Sequence, residues 1–580
     1  MNRRNFIKGG AALTALAFLC PEKVFGGKKI MATGNLKWWQ KTIIYQIYPK
    51  SFQDTTGSGT GDLNGVTAHL DYLKKLGVGA IWLTPIYPSP MVDNGYDVAD
   101  YTAINPDFGT MADFENLVAE AKKRGIKIVM DLVYNHSSDK HKWFLESKSS
   151  RTNPKADWYI WKDAKDGKPP TNWRSFFGGN AWQWCEERQQ YYLHSFAVGQ
   201  PDLNWENPEV RQALFDAANF WIEKGVGGFR IDAIPYIKKP AYVDGTPDGK
   251  DGMVHIHNVT VNTPGILDFL HEFKDKVFAG HDIFTVGEAN GISPAELKYW
   301  VGNDGVFDML FEFSHVNLQF KNGEAYCRHT DWTLTELKQA ISDSQAATKN
   351  NGWYPMYFEN HDKPRCVNYF FNNVDTSKAA KVIATILLTM RGTPFIYEGQ
   401  ELGMTNIKLD SIDKYNDVAA RAQYDFAINE GKSAAEALEL VNRFSRDNSR
   451  TPMQWNAEIN AGFSTAETWL PVNENYKTFN ADAEDKNADS VLNWYRKLAK
   501  LRTDNAELIC GDYKLLLEDS EEIFAFSRSF NGKTLVTAVN FSNKKVSLPK
   551  DFASKKILID SEPNADKNFL QPLESRIYQF

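Results

Sequence analysis

Apolar residues along this chain follow two alternating rhythms. Short β-branched or aromatic runs recur at 43–49, 80–85, 127–136, 228–234, 283–288, 308–313, 356–362 and 393–399. Between them lie stretches with apolar positions three and four apart, such as 66–77 and 209–225, the second closed by Gly225. Eight strands alternating with helices predict an α/β fold, a parallel (β/α)8 barrel spanning 36–136 and 208–505. Two intervals are too long for plain loops. Residues 137–207, rich in Trp, Gly, Pro and Lys, separate strand three from its helix and are expected to form an inserted small domain. Residues 400–460 follow strand eight as an extra subdomain. From 506 to 580 the pattern turns to short runs (DYKLLL, EIFAFSR, KTLVTAVN, KKILID, RIYQF). These predict a C-terminal antiparallel β-sandwich.

Composition narrows the class. The 580 residues are 24% charged and 13% aromatic, which excludes wholesale disorder. The net charge is -7 with no Lys/Arg block, so nucleic acid is not expected as a partner. Residues 1–26 read as an address. Arg3-Arg4-x-Phe6-Ile7-Lys8 followed by an apolar stretch at 11–20 is similar to a bacterial twin-arginine export signal. That stretch is shorter than the roughly 20 apolar residues a bilayer span needs, so the expectation is export, to the periplasm, with no membrane span. Phe18-Leu19 before Cys20 is too bulky for a lipidation site. Cys185, Cys327, Cys366 and Cys510 form no CxxC pair and are expected to be free thiols.

Barrel enzymes carry their chemistry where strands end, at the C-terminal face. Here those ends hold Asn135-His136, Arg230 with Asp232, Glu288, and His361-Asp362. Three carboxylates, an arginine and two histidines are thus expected at one mouth. A single Asp there is usually a cap or a salt bridge; the coincidence at four ends is not. Arg230 and Asp232 lie two apart and share one strand face, leaving Ile231 toward the helices. The neighbouring cation should keep Asp232 ionised, which suits a nucleophile. Glu288, sharing a partly dry site with two aspartates, suits the general acid. This division of labour is what glycoside hydrolysis with retention requires.

The motifs FRIDA, VGEAN, ENHDKPR and DLVYNHSSD resemble the conserved regions of glycoside hydrolase family 13. QPDLNWENPEVR, GTPFIYEGQELGMTN and RDNSRTPMQW are similar to its α-glucosidase and oligo-1,6-glucosidase branch, and the resemblance covers about residues 36–580. It implies roles residue by residue: Asp232 as nucleophile, Glu288 as acid/base, Asp362 holding the sugar 2- and 3-hydroxyls. It also implies that His136 and His361 bind hydroxyls of the same glucose and that Arg230 orients Asp232. Tyr96 would stack on the ring, Asp93 with Arg450 would grip the non-reducing end, and Phe196 and Gln200 would line the pocket. A pocket closed at that end implies exo action on α-glucosides. Only the resemblance says glucose, and only the resemblance says α.

Departures from the family pattern set further expectations. The residue after Asp232 is Ala233, where relatives preferring α-1,6 links tend to carry Val. Removing branched bulk there changes the pocket by about 1–3 kcal/mol, which favours α-1,4 links, with α-1,6 also accepted. DAIPY (232–236) and Ala289-Asn290 are similar to trehalose synthases, so an isomerase of the same family is the alternative. A transporter heavy-chain-like partner without catalysis is the alternative of another class, and the retained Asp232, Glu288 and Asp362 count against it. The loop 53–62 matches a calcium loop of some relatives, but Thr56 and Ser58 replace anionic or amide oxygens. Weak or no calcium at Asp54 and Asp62 is therefore expected, and no other cofactor.

Overall fold

The computed structural model describes residues 36–580 except Asn303, Asn322, Glu324, Asn351, Asn564 and Ala565. The export signal and Cys20 lie outside the described residues. Eight parallel strands build a barrel: β1 (Ile44–Ile47), β2 (Ala80–Leu83), β3 (Lys127–Leu132), β4 (Gly228–Ile231), β5 (Phe284–Glu288), β6 (Met309–Phe311), β7 (Pro355–Met356) and β8 (Thr393–Tyr397). Their order is 6-5-4-3-2-1-8-7, and β6 packs against β7 at the seam. Seven of the eight runs contain a strand, and the eighth, 356–362, meets β7 only at Met356. Most observed strands are shorter, because several runs carry on into the loops that form the mouth.

The period-two alternation decides what fills the barrel. Ile81, Leu83, Met130, Leu132, Phe229 and Ile231 pack outward in the large core shared with the helices. Trp82, Phe284, Phe311 and Phe395 point the other way and form a column of rings, with centroids 5.7 Å apart for Trp82–Phe311 and 4.8 Å for Phe311–Phe395. Such ring pairs add roughly 0.5–1.5 kcal/mol each beyond their area burial. Gly228 begins β4 because the inside has no room: a Cβ there would sit 2.3 Å from the Phe284 carbonyl oxygen.

The helix after the insertion runs Pro208–Glu223, with Asn207 capping its N-terminus and Pro208 at its first position. The stretch at 66–77 is two helices, Leu63–Ala68 and Leu70–Leu76, broken at His69. The inserted segment holds the helix Lys142–Ser149 and a small sheet of Trp161–Lys162, Gln190–Leu193 and Trp182–Cys185. It also reaches beyond 137–207, because Trp173–Arg174 pairs with Val254–His255 in the loop after β4. After β8 come the helices Val418–Asn429, Ala434–Phe444 and Asp447–Arg450. The C-terminal part is a lopsided sandwich. A five-stranded antiparallel sheet (512–560 and 575–579) puts Phe524, Phe526, Val539 and Ile577 against the barrel's core. Among the described residues, a two-stranded ladder and the helix Lys550–Ala553 cover its other face.

Candidate active site

Strand register brings the first charges together. Arg230 on β4 sits directly opposite Asp131 on β3, and both point into the barrel mouth. Arg230 Nη1 donates to Asp131 at 2.8 and 2.9 Å and to Asp232 Oδ1 at 2.7 Å. Its Nη2 donates to Glu288 Oε2. One guanidinium, 1% exposed, thus faces three carboxyl groups. Asp232 and Glu288 lie on the two arms of this guanidinium and also meet each other through a side-chain hydrogen bond.

Sequence reasoning expected Arg230 to keep Asp232 ionised. The structure corrects this. Burial pushes the Asp232 carboxyl well above its usual range, Arg230 pulls it down, and the neighbouring Glu288 and Asp131 push it up again. Burial likewise raises Asp131 to about 6, against the pull of Arg230. A cation divided among three carboxyls cannot neutralise them all, so the raised Asp232 and Asp131 carboxyls hold protons more tightly than free ones.

Asp362 has the opposite surroundings. Burial works against its charge, but His361, Arg446 and Arg450 together hold its carboxyl well below the usual range. Arg450 Nη2 lies 2.9 Å and Arg446 Nη1 3.1 Å from its Oδ1. His361 Nε2 lies 3.1 Å from Oδ2. Burial lowers the His361 imidazole well below its ordinary value, so it is neutral. The Gln46 side-chain amide donates to its Nδ1 at 2.7 Å, which leaves the proton on Nε2, toward Asp362.

The cavity at the barrel mouth is lined by Asp93, Tyr96, His136, Phe196, Asp232, Ala233, Glu288 and Asp362. Tyr96 lies parallel to His361, 5.2 Å between centroids, and its hydroxyl donates to Asp131 Oδ2 at 3.0 Å. His136, lowered to about 4 by burial, is neutral and meets the Tyr96 carbonyl oxygen through Nε2 at 2.9 Å. Ala233 holds the left-handed conformation with φ 46°, and its amide faces Glu288 Oε2 at 3.4 Å. Arg230, Gln200, His361 and Arg450 stand behind this wall. Gln200 is fully buried and donates to Asp93 Oδ2 at 3.3 Å and to the Tyr96 carbonyl oxygen at 3.2 Å, holding the wall from behind.

The partner expected for Asp93 is also corrected. Arg450 does not reach the cavity: it is fully buried, with Nε on the His361 carbonyl oxygen at 2.8 Å. Arg446, four residues earlier, lines the cavity instead. It donates to Asp93 at 2.9 Å, to Asp362 at 3.1 Å and to Asp417 at 2.6 Å. Burial raises the Asp93 carboxyl despite Arg446. The helix Asp447–Arg450 explains the exchange, since residues four apart share a face. Both arginines stand in RDNSRTPMQW, so the motif held the signal and the choice within it needed the fold. Phe176, Phe177, Tyr236, Asn290, Phe313 and Phe444 also line the cavity. Of these, only Tyr236 and Asn290 stand in stretches that the sequence analysis singled out, DAIPY and Ala289-Asn290.

In the loop after β1, Asp54 accepts from the amides of Thr56, Gly57 and Gly59 at 2.8–2.9 Å and from the Ser464 hydroxyl at 2.7 Å. Asp62 accepts from the Thr55 and Gly65 amides at 2.7 and 2.8 Å. Cys185, Cys327, Cys366 and Cys510 are free thiols. Among the described residues, no helix is long and apolar enough to cross a membrane.

Comparison with known proteins places this geometry. Residues 46–511 match the α-amylase catalytic domain, and residues 1–19 match the twin-arginine translocation signal, which marks the chain for export. The chain is 42% identical over 555 residues to a probable oligo-1,6-glucosidase of Bacillus subtilis, covering 93% of this chain and 99% of that one. It is 42% identical to an α-glucosidase of Pediococcus pentosaceus over 94% and 99% of the two chains. The crystal structure of an isomaltulose synthase from Erwinia rhapontici superposes with a TM-score of 0.90 at 40% identity, covering 94% and 99%. The chain belongs to the α-amylase family and is a glycoside hydrolase of that family.

Proposed function

We propose that this protein is a retaining, exo-acting α-glucosidase that removes glucose from the non-reducing ends of α-glucosides in the periplasm. The observation that carries this reading is the salt-bridged wall of Arg446, Asp93 and Asp362 beside the Asp232–Glu288 pair. A terminal glucose fits against such a wall, and a continuing chain does not. Asp362, kept ionised by its cations, accepts bonds from ring hydroxyls. Asp232 attacks the anomeric carbon while its proton passes through Glu288 to the departing oxygen. Water then enters where the leaving group stood, gives its proton to Glu288 and opens the ester to Asp232, which leaves the configuration retained. Ala233 supports a preference for α-1,4 links. It lines the cavity next to Glu288, where the bond is cleaved, and presents only a methyl group.

Proton NMR of the enzyme with maltose, isomaltose, trehalose and sucrose tests the proposal. Early α-glucose from maltose, with isomaltose slower, is expected. Inverted β-glucose would refute retention. Isomaltulose or trehalose with little free glucose would make the protein an isomerase, as the name of the Erwinia rhapontici neighbour suggests for that protein.

The raised Asp232 carboxyl sets the pH response. The rate is expected to fall as pH rises through its raised value and that proton is lost. With an aryl glucoside whose phenol is strongly acidic, leaving-group departure needs no proton. The alkaline limb of kcat/KM is then expected to flatten; an unchanged limb would place the essential proton elsewhere.

The Asp54–Asp62 loop does not fit calcium. Amide and hydroxyl donors already occupy the carboxylate oxygens that a cation would need, and they balance the charge. The melting temperature is expected to be the same in excess chelator and in excess calcium. A ligand at 100 times its Kd contributes about 2.7 kcal/mol, so a real site would show as a clear rise.

A further inference from the structure

A second cavity lies between the helix Leu334–Ala347 and the first strand of the C-terminal sheet, Asp512–Leu516. It shares no lining residue with the catalytic cavity. Its space, mouth included, is about 1140 Å³. Lys338, Gln345 and Lys349 border it on the helix side, Tyr513 and Lys514 on the strand side, and Arg391 from the segment before β8.

The junction around this cavity is short of negative charge. Arg391, Arg502 and Arg528 are 7%, 2% and 0% exposed. Among the described residues, none of the three pairs with a carboxylate. Arg391 donates to the carbonyl oxygens of Thr348, Lys349 and Gly352 at 3.2–3.5 Å. Arg502 donates to those of Leu388 and Met390 at 3.0 Å, and Arg528 to that of Thr389 at 2.7 Å. Both also reach the Leu508 carbonyl oxygen. Those oxygens stand at the ends of three helices, Leu334–Ala347, Thr376–Thr389 and Ala506–Cys510. A helix C-terminus carries about half a negative charge, so three of them offset roughly half of the three guanidinium charges. Burial lowers Arg391 to about 10. It lowers Arg528 well below its ordinary value, and the charges of Arg502 and Arg391 add to that effect. Both shifts record positive charge that its surroundings leave unbalanced.

Of the three arginines, Arg391 borders the cavity, and the exposed Lys349 and Lys514 border it too. The acids nearby do not cancel this positive side. Asp512 lies 4.0 Å from Lys349, at the limit of an ion pair. Glu518 and Asp519 also line the cavity, at the Lys338 end, where Lys338 Nζ holds the carbonyl oxygens of Leu517 and Ser520. Lys338 and Lys349 stand roughly 16 Å apart along the helix direction, at 1.5 Å per residue. The hydroxyls of Ser342 and Tyr513, 2.9 Å apart, add neutral polar groups to the wall.

We propose that this cavity is an anion site for phosphate, free or carried on a small organic molecule, held against Arg391, Lys349 and Lys514. A multivalent anion meets there the charge that helix ends leave unbalanced, in a recess whose walls strengthen the attraction. It ties the barrel's helix to the C-terminal sheet, so binding stabilises the fold. The test is thermal unfolding and calorimetric titration of the whole protein with inorganic phosphate and with glycerol phosphate, beside sodium chloride at matched ionic strength. A saturable rise in melting temperature with phosphate, absent with chloride, is expected. Tighter binding of glycerol phosphate supports the site with an organic ligand, and tighter binding of inorganic phosphate supports it with the free ion. In the double variant Lys349→Gln, Lys514→Gln, affinity is expected to fall at least tenfold while the melting temperature without anion stays that of the parent. An equal rise in chloride, no saturable binding of either phosphate, or undiminished binding in the double variant would overturn the site.

Discussion

Replacing Asp232 with Asn is expected to remove turnover by a factor on the order of 10⁴ or more while leaving the fold intact. In the proposed mechanism the nucleophile has no substitute. Glu288 is fixed on the other arm of Arg230 and is needed as the proton donor. The stability of this variant gives a second, independent readout. Burial raises the Asp232 carboxyl, so its protonated form is favoured in the folded chain. Such a group contributes stability that is fully present below the ordinary carboxylate range and is lost as pH rises through its raised value. Asn mimics the protonated carboxyl at every pH. The variant is therefore expected to melt no lower than the parent, with a gap in its favour that widens toward alkaline pH. Thermal unfolding across pH, beside NMR of maltose turnover, checks both halves. A variant that melts far below the parent would mean that Asp232 is a structural residue.

The second large effect is expected at Arg446. It binds three carboxylates at once, those of Asp93 and Asp417 buried and that of Asp362 partly exposed. Removing one partner of a buried ion pair costs about 3–5 kcal/mol, because the charge left behind has no counterpart. Part of that cost falls on sugar binding, since two of the three carboxylates face the cavity. Arg446→Met is expected to lower kcat/KM by roughly 10²–10³, at about 1.4 kcal/mol per tenfold. It is also expected to let the enzyme cut inside chains, where the parent cuts only ends. Arg450→Met is the informative contrast. Arg450 supports the back of Asp362 and the His361 carbonyl oxygen, and its own carbonyl accepts from the Ser51 hydroxyl at 2.6 Å. Its loss is expected to lower melting temperature more than specificity for chain ends. If Arg450→Met opened the pocket to internal links and Arg446→Met did not, the assignment of the wall would be reversed.

Much of this was legible in the chain. The eight strand runs, the helix after the insertion and the carboxylates at strand ends all follow from local rules. Alternation places Arg230 and Asp232 on one face whatever lies around them, and Pro208 behind Asn207 starts a helix in any context. The misreadings have a common cause. Choosing Arg450 over Arg446 required knowing which end of a one-turn helix meets the cavity. Placing Gln200 on the wall required knowing the depth at which its loop runs. Expecting Arg230 to ionise Asp232 counted one neighbour along the strand and missed Asp131, which arrives from the adjacent strand by register.

The sequence by itself thus determined the architecture and the family, and it placed Asp232, Glu288 and Asp362 at one mouth. These depend on periodicity and on motifs within a few residues of one another, which a linear chain displays directly. Only the tertiary structure decided how cations are shared among those acids, which arginine closes the pocket, and that three buried arginines meet at the junction with the C-terminal sheet. Charge sharing falls off over a few ångströms and depends on burial. It is set by distances between segments as remote as Asp93 and Arg446, and the order of residues along the chain does not contain those distances.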